Sequence, residues 1–215
     1  MAKYSSYLLF LLTLSSAILS GCATKPTNDS STLIIQQSAV QRAEQLTQIN
    51  QWRLRGKIAF IEQLKDQTSK RESATIAWQV NENNQTQELN LTSYLGINVL
   101  HLASKDNNHL IKVNGKEYRA NDLSRLVYSL TGLTLPTKAL TFWLKGLPYQ
   151  LSDQVKLSPK TQLPVSLTSS FDDVQWQIGY SKYKVFDGVQ MATKFTIKKD
   201  GLLIKVAIKT WSLTN

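Results

Sequence analysis

The sequence predicts a mainly β domain: one strongly curved antiparallel sheet of roughly ten strands, covered by a few short helices. Three observations carry that expectation. Apolar and polar residues alternate, at the two-residue period of a half-buried strand, in segment after segment. Asn114-Gly115 and Asp200-Gly201 sit between such segments, and these are the dipeptides that tight hairpins select. Helical periodicity is confined to one stretch at the start of the domain and two in mid-chain. A sheet that large must close, curl or be covered.

The 215 residues leave room for one domain with a real core. A hydrophobic content of 42% with 19% charged residues fits a globular class rather than a disordered one. The formal net charge of +10 points to a solubilising surface, to anionic lipid or to an acidic partner. Nucleic acid is not indicated, because no basic-aromatic motif accompanies the charge. The single cysteine rules out an internal disulfide, and two histidines are too few for a histidine-rich metal site. No Gly-x-Ser-x-Gly nucleophile motif and no nucleotide-binding glycine motif occurs, so no catalytic residue, metal or cofactor is expected.

Residues 1–21 read as an export signal. Lys3 supplies the positive start, and the apolar run at 7–19 is too short to span a bilayer. It ends in Leu19-Ser20-Gly21-Cys22, a lipobox whose cysteine thiol accepts a diacylglycerol, so Cys22 is the expected lipidation site. Lipidation also accounts for a lone cysteine in an oxidising compartment. Ala23 rather than Asp follows, which by resemblance to Gram-negative lipoproteins implies the outer membrane. Residues 22–32 are polar, with Pro, Asn, Asp and Ser, as a flexible tether should be. The folded domain is expected over 33–215.

That domain opens with a helix expected over 33–51, with Val40, Ala43, Leu46 and Ile49 on its apolar stripe. Strands follow at 55–61 and 73–79, with the charged stretch 62–72 read as a long hairpin loop. The next hairpin is chemically odd. Leu89 and Leu91 alternate on the way in, and Leu100 and Leu102 on the way out. Gly96 supplies a turn residue, yet Tyr94, Leu95 and Ile97 stand where turns carry Asn, Asp or Ser. Either these side chains fold back into the core, or they form a hydrophobic finger meant to leave water. Strands around Asn114-Gly115 come next. A helix capped by Asn121 or Asp122 carries Leu123, Leu126, Val127 and Leu130 and stops at Gly132. A second short helix begins near Thr137, with Leu140, Trp143 and Leu144 on one face. The C-terminal part returns to strands. There Leu202, Ile204, Val206 and Ile208 alternate against Lys205 and Lys209, a sheet with one side in water. The five tryptophans, Trp52, Trp78, Trp143, Trp176 and Trp211, either line an apolar cavity or fill the core.

Several stretches together resemble the LolB family of outer-membrane lipoprotein receptors. They are Arg55-Gly56-Lys57-Ile58-Ala59-Phe60, Trp78, Leu91-Thr92-Ser93-Tyr94-Leu95-Gly96, Gly115-Lys116-Glu117-Tyr118, Leu130-Thr131-Gly132 and Trp143-Leu144-Lys145-Gly146-Leu147-Pro148, with Trp176, Tyr180, Tyr183 and Trp211 toward the end. Each is weak alone; their order and spacing behind a lipobox make the match specific. Tyr94 and Ala192 stand where the family often has Pro.

The resemblance implies an unclosed β-barrel with helices over its mouth, acting as a monomer. Its hydrophobic cavity would accept acylated lipoproteins from a soluble periplasmic carrier of the LolA type and release them into outer-membrane lipid without ATP. It assigns membrane insertion to Leu95. Alternation and helix stripes nominate Trp52, Phe60, Trp78, Leu100, Leu126, Trp143, Ile204 and Val206 as cavity walls. Burying acyl chain gains about 0.8 kcal/mol per CH₂, so a three-chain anchor carries on the order of 30 kcal/mol and cannot cross water unshielded. The competing class is a lipid-anchored scaffold or assembly lipoprotein that binds proteins only.

Overall fold

The computed structural model describes residues 37–63, 68–132 and 135–214. Among these residues eleven strands form a single antiparallel sheet: β1 (Gln51–Gln63), β2 (Ser69–Asn81), β3 (Thr86–Thr92), β4 (Asn98–Lys105), β5 (Asn108–Val113), β6 (Lys116–Ala120), β7 (Gln154–Leu157), β8 (Pro164–Phe171), β9 (Val174–Phe186), β10 (Val189–Lys199) and β11 (Leu202–Thr214). The spatial order is β6-β5-β4-β3-β2-β1-β11-β10-β9-β8-β7. Strands consecutive in sequence therefore pair, with the exception of β6 and β7, and β1 also pairs with β11 and joins the two ends of the domain. The strands left at the two edges are β6 and β7, which do not pair, so the barrel is unclosed.

Helices α2 (Leu123–Thr131) and α3 (Thr137–Trp143) lie in sequence between those two edge strands. The chain thus inserts its helices at the seam where a closed barrel would have continued the ladder. Asp122 caps α2 by accepting from the Arg125 amide at 3.0 Å, and Gly132, at φ 70°, ends it. A glycine suits that left-handed position because it has no Cβ to clash.

Helix α1 (Ala39–Thr47) is shorter than the periodicity implied. Its start is fixed by a capping box, in which Ser38 and Gln41 satisfy each other's free amides. At its other end Gln51 already belongs to β1. Its buried face also differs: Arg42 and Leu46 point inward while Val40 is exposed, and Ile49 is buried beyond the helix end. Arg42 takes the inward place because its guanidinium donates to the Gln190 carbonyl and the Lys145 carbonyl, both at 3.1 Å.

The charged stretch expected as a loop over 62–72 is partly strand, since β1 runs to Gln63 and β2 starts at Ser69. Most of these residues are exposed, so no alternation marks them. Asn114 and Gly115 both take positive φ, as the hairpin signal required. The β8–β9 turn uses Asp172 and Asp173 in the same left-handed pair of conformations, which aspartate tolerates better than most residues.

The core divides into two clusters. The larger lies under α1 and α3 and gathers the inward residues of β1, β2 and β8–β11. The smaller lies under α2, against Leu102 of β4 and Ile111 of β5. Leu89 and Leu135 pack against both.

Candidate functional site

Three regions stand apart from ordinary packing. The first is the β3–β4 turn. The Gly96 amide donates to the Ser93 carbonyl at 3.0 Å and the Ser93 amide to the Ile97 carbonyl at 2.8 Å, which fixes a tight turn with Gly96 at φ 79°. Tyr94 and Leu95 occupy its central positions. Tyr94 is fully exposed, Leu95 is 80% exposed and Ile97 62%. Single exposed apolar residues are common, but a run of them on one projecting turn marks a surface that meets something apolar. None of the three packs into either core cluster.

The second region is the interior. Trp52, Trp78, Trp143, Ile204 and Val206 are buried in the larger cluster and Phe60 packs against it. Leu126 is buried in the smaller cluster, with Leu100 packed against that one. The eight nominated wall residues are therefore divided between two neighbouring groups. The tryptophans form two aromatic sets: Trp52 meets Trp78 at 5.3 Å and Trp211 at 5.7 Å, and Trp143 meets Trp176 at 5.9 Å. Trp211 donates to the Ala192 carbonyl and Trp143 to Asp153, whereas the buried indole N–H groups of Trp52 and Trp78 find no acceptor among the described residues.

Polar groups that sequence reasoning missed hold this interior together. Lys145 is only 2% exposed, and its Nζ donates to Glu82 at 3.0 Å and to the Ile49 carbonyl at 3.4 Å. Arg42 lies over the Tyr183 ring, and burial lowers its pKa from the ordinary value. Burial likewise raises the pKa of Tyr180, whose hydroxyl donates to the Trp143 carbonyl at 2.9 Å. Asp153 accepts from the Trp143 indole at 3.0 Å and the Tyr149 amide at 2.8 Å. Burial by itself pushes this carboxyl up. Hydrogen bonds from Ser169, Tyr149, Trp143 and Gln150 outweigh it and hold the group below its usual value. The only sequence signal was the run Trp143-Leu144-Lys145-Gly146-Leu147-Pro148, which gave no hint that its lysine is buried.

The third region is a cavity of about 630 Å³ on the sheet. Its lining includes Lys57, Arg71, Lys194 and Lys205, together with Tyr94 of the turn. Of the eight nominated wall residues Val206 is the one that touches it.

Chemistry of other kinds is not supported by the remaining candidates. His101 bonds Asn90 at 2.8 Å and His109 bonds Ser104 at 2.9 Å, and burial lowers the pKa of His109. Among the described residues no three His, Cys, Asp or Glu converge as a metal site would require. No described helix is long and apolar enough to cross a membrane. Cys22 lies outside the described residues.

Comparison with known proteins agrees with this architecture. Residues 50–211 match the family described as outer membrane lipoprotein LolB. A LolB outer-membrane lipoprotein of Aeromonas hydrophila is 34% identical over 199 residues, covering 92% of both chains. One from Tolumonas auensis is 32% identical over 175 residues, covering 80% of this chain and 82% of the relative. A crystal structure of an outer membrane lipoprotein-sorting protein domain from Vibrio parahaemolyticus superposes with a TM-score of 0.53 at 8% identity. It covers 82% of this chain and 91% of the other, a likeness of fold alone. None of these relatives is named for an enzyme. On the extent of the family match and the identity to full-length relatives, the chain belongs to the LolB family of outer-membrane lipoproteins.

Proposed function

We propose that this chain is an outer-membrane receptor that takes lipoproteins from a LolA-type periplasmic carrier and inserts them into the membrane without ATP. Cys22, lipidated, anchors it, residues 22–32 tether it, and the domain over 33–215 faces the periplasm. The observation that carries the reading is the projecting turn with Tyr94, Leu95 and Ile97 in solvent. Burying a leucine gains roughly 1.5–3 kcal/mol, and this one gains almost none of that in the folded protein. Leu95 keeps that free energy for an apolar phase outside the molecule.

In this reading the cargo's acyl chains enter between the sheet and its helices, against Trp52, Phe60, Trp78, Leu100, Leu126, Trp143, Ile204 and Val206. The unclosed seam between β6 and β7 suits such entry, because helices can shift without breaking a ladder of backbone hydrogen bonds. The free indole donors of Trp52 and Trp78 are matched to ester or amide carbonyls, the polar groups that acyl chains bring with them. The cargo then runs down a gradient of apolar contact, from carrier to receptor to bilayer, and needs no nucleotide.

The test is a transfer assay. The lipidated protein is placed in liposomes, and carrier loaded with a fluorescent lipoprotein is added without nucleotide. The cargo should move to the liposome fraction only when the protein is present. A scaffold that binds proteins alone would leave the cargo on the carrier, and that result would reject the receptor reading.

A further inference from the structure

We propose that the basic cavity beside the turn binds the phosphate-bearing headgroup of an anionic membrane lipid. The proposal rests on the reading that the Leu95 turn enters a bilayer, and it names what the sheet beside that turn does once it is there.

Strand register shows how the cavity is built. Lys57 and Lys194 both pair with Ala207, and Lys205 pairs with Ala59 and Thr196. Residues paired directly across a sheet share a face, so these six side chains stand together on the outward side. Lys205 is then the diagonal neighbour of both Lys57 and Lys194, at about 7–8 Å in an antiparallel sheet. Arg71 adds a fourth cation on the β2 side. The middle is kept low by small residues, Ala59, Ala207 and Gly179; a Cβ on Gly179 would come within 2.6 Å of the Thr196 hydroxyl. The result is a depression with cations at its rim.

The electrostatics are one-sided. Among the described residues no carboxylate lines the cavity. Some cations elsewhere are paired, as Lys70 is with Glu72, Lys112 with Glu117 and Lys145 with Glu82. Among the described residues none of Lys57, Arg71, Lys194 and Lys205 belongs to such a pair. Like charges at these spacings repel, and an anion held between them offsets the repulsion. Lysine binds phosphate as a point charge, and the hydroxyls of Ser73, Thr75 and Thr196 supply donors around it. The volume of about 630 Å³ falls inside the ~300–1,000 Å³ range of small-molecule sites.

Position selects a lipid rather than a soluble anion. Tyr94 lines the cavity, and its neighbour Leu95 is the apolar tip. Apolar groups that dock on a membrane reach about 5–10 Å into the boundary between headgroups and acyl chains, and tyrosine favours the headgroup level. A cationic depression that begins one residue from the tip then sits among the headgroups.

The experiment titrates the full-length lipidated protein, in detergent micelles, with dihexanoylphosphatidylglycerol, and follows the bound species by native mass spectrometry. Lys57→Gln with Lys205→Gln should weaken binding at least tenfold. Ala207→Trp, which fills the depression and leaves the charge unchanged, should weaken it as much; if that variant does not fold, Ser181→Trp at the edge of the same depression replaces it. Lys209→Gln, a cation outside the cavity, should stay within twofold of the parent. Leu95→Asn should also stay within twofold, because no bilayer is entered and no charge is added, so failure of the headgroup site and failure of the tip reading are separate results. Dihexanoylglycerol and inorganic phosphate should each bind at least tenfold more weakly. Equal binding of the uncharged lipid would place the ligand in the apolar interior, and equal binding of inorganic phosphate would make this a small-anion site. Sensitivity to lysine loss but not to filling would mark a flat docking surface for an acidic protein. Any of these three outcomes overturns the proposal.

Discussion

At the β3–β4 turn, Tyr94, Leu95 and Ile97 stand in solvent, although each would gain by burial. Just after α3, Lys145 is buried at 2% exposure, although its charge would be better hydrated outside. The two regions invert the usual partition in opposite senses, and the inversions differ in what compensates them. Lys145 is compensated inside the molecule, by Glu82, by the Ile49 carbonyl and by the Phe142 ring 5.5 Å away. These contacts tie the segment after α3 to the ends of β1 and β2, far apart in sequence. Among the described residues Leu95 has no such partner. A buried ion that is fully bonded fixes a geometry; an exposed leucine that is bonded to nothing is available to another phase. The comparison predicts that stability resides at the first region and delivery at the second.

The largest stability effect should follow Lys145→Met. Removing one partner of a fully buried pair costs about 3–5 kcal/mol, and Glu82 lowers that here because its side chain is one-third exposed and can rehydrate. A loss of roughly 2–3 kcal/mol is expected by the same reasoning, seen as a clear drop in melting temperature with carrier-to-membrane transfer retained at low temperature. A melting temperature equal to that of the parent would remove the first half of the comparison.

A smaller effect should follow Asp153→Asn, because Trp143 and Tyr149 both donate to the same oxygen, Oδ2, and an amide oxygen in that place keeps both contacts while losing the charge. The expected loss is about 1 kcal/mol, and its sharper signature is pH. The folded-state pKa of Asp153 is held below its ordinary value of 3.8. The stabilisation is therefore complete above that value and disappears as pH falls through the lower, folded one. Melting curves from pH 6 down to pH 2 should show the parent and Asp153→Asn converging in acid. Parallel curves across that range would show that the carboxylate charge contributes nothing.

Much of the fold was legible in the sequence, for reasons that can be named. Leu202, Ile204, Val206 and Ile208 read as one face because each strand there has one side in the core and the other, with Lys205 and Lys209, in water. Asp122 and Gly132 bracketed α2 because caps act through neighbours in sequence. The parts that were not legible depend on distant partners. Lys145 reads as a surface residue until Glu82, 63 positions away, is brought to it. Arg42 displaces Val40 from the buried face of α1 because its acceptors lie on Gln190 and on Lys145. The split of the wall residues between two clusters follows from α2 lying over β4 and β5, which periodicity alone cannot foresee. The basic cavity was invisible for the same reason: its lysines come from β1, β10 and β11 and meet only through strand register. The turn itself was different. The positions of Tyr94, Leu95 and Ile97 beside Gly96 were visible at once, and the sequence left open whether they fold inward; their exposure is the structure's answer.

The smallest expected stability effect belongs to Leu95→Glu, and it tests the central claim most directly. The variant is melted, then assayed separately for uptake of a lipoprotein from the carrier and for insertion of that lipoprotein into liposomes. Stability should change by no more than about 0.5 kcal/mol, as for an exposed side chain without partners. Uptake should be retained, because the apolar interior lies elsewhere, and insertion should be lost, because a carboxylate at the tip resists entering the apolar layer. Unchanged stability with unchanged insertion would contradict the role given to Leu95, and a large fall in melting temperature would show that the turn belongs to the core after all.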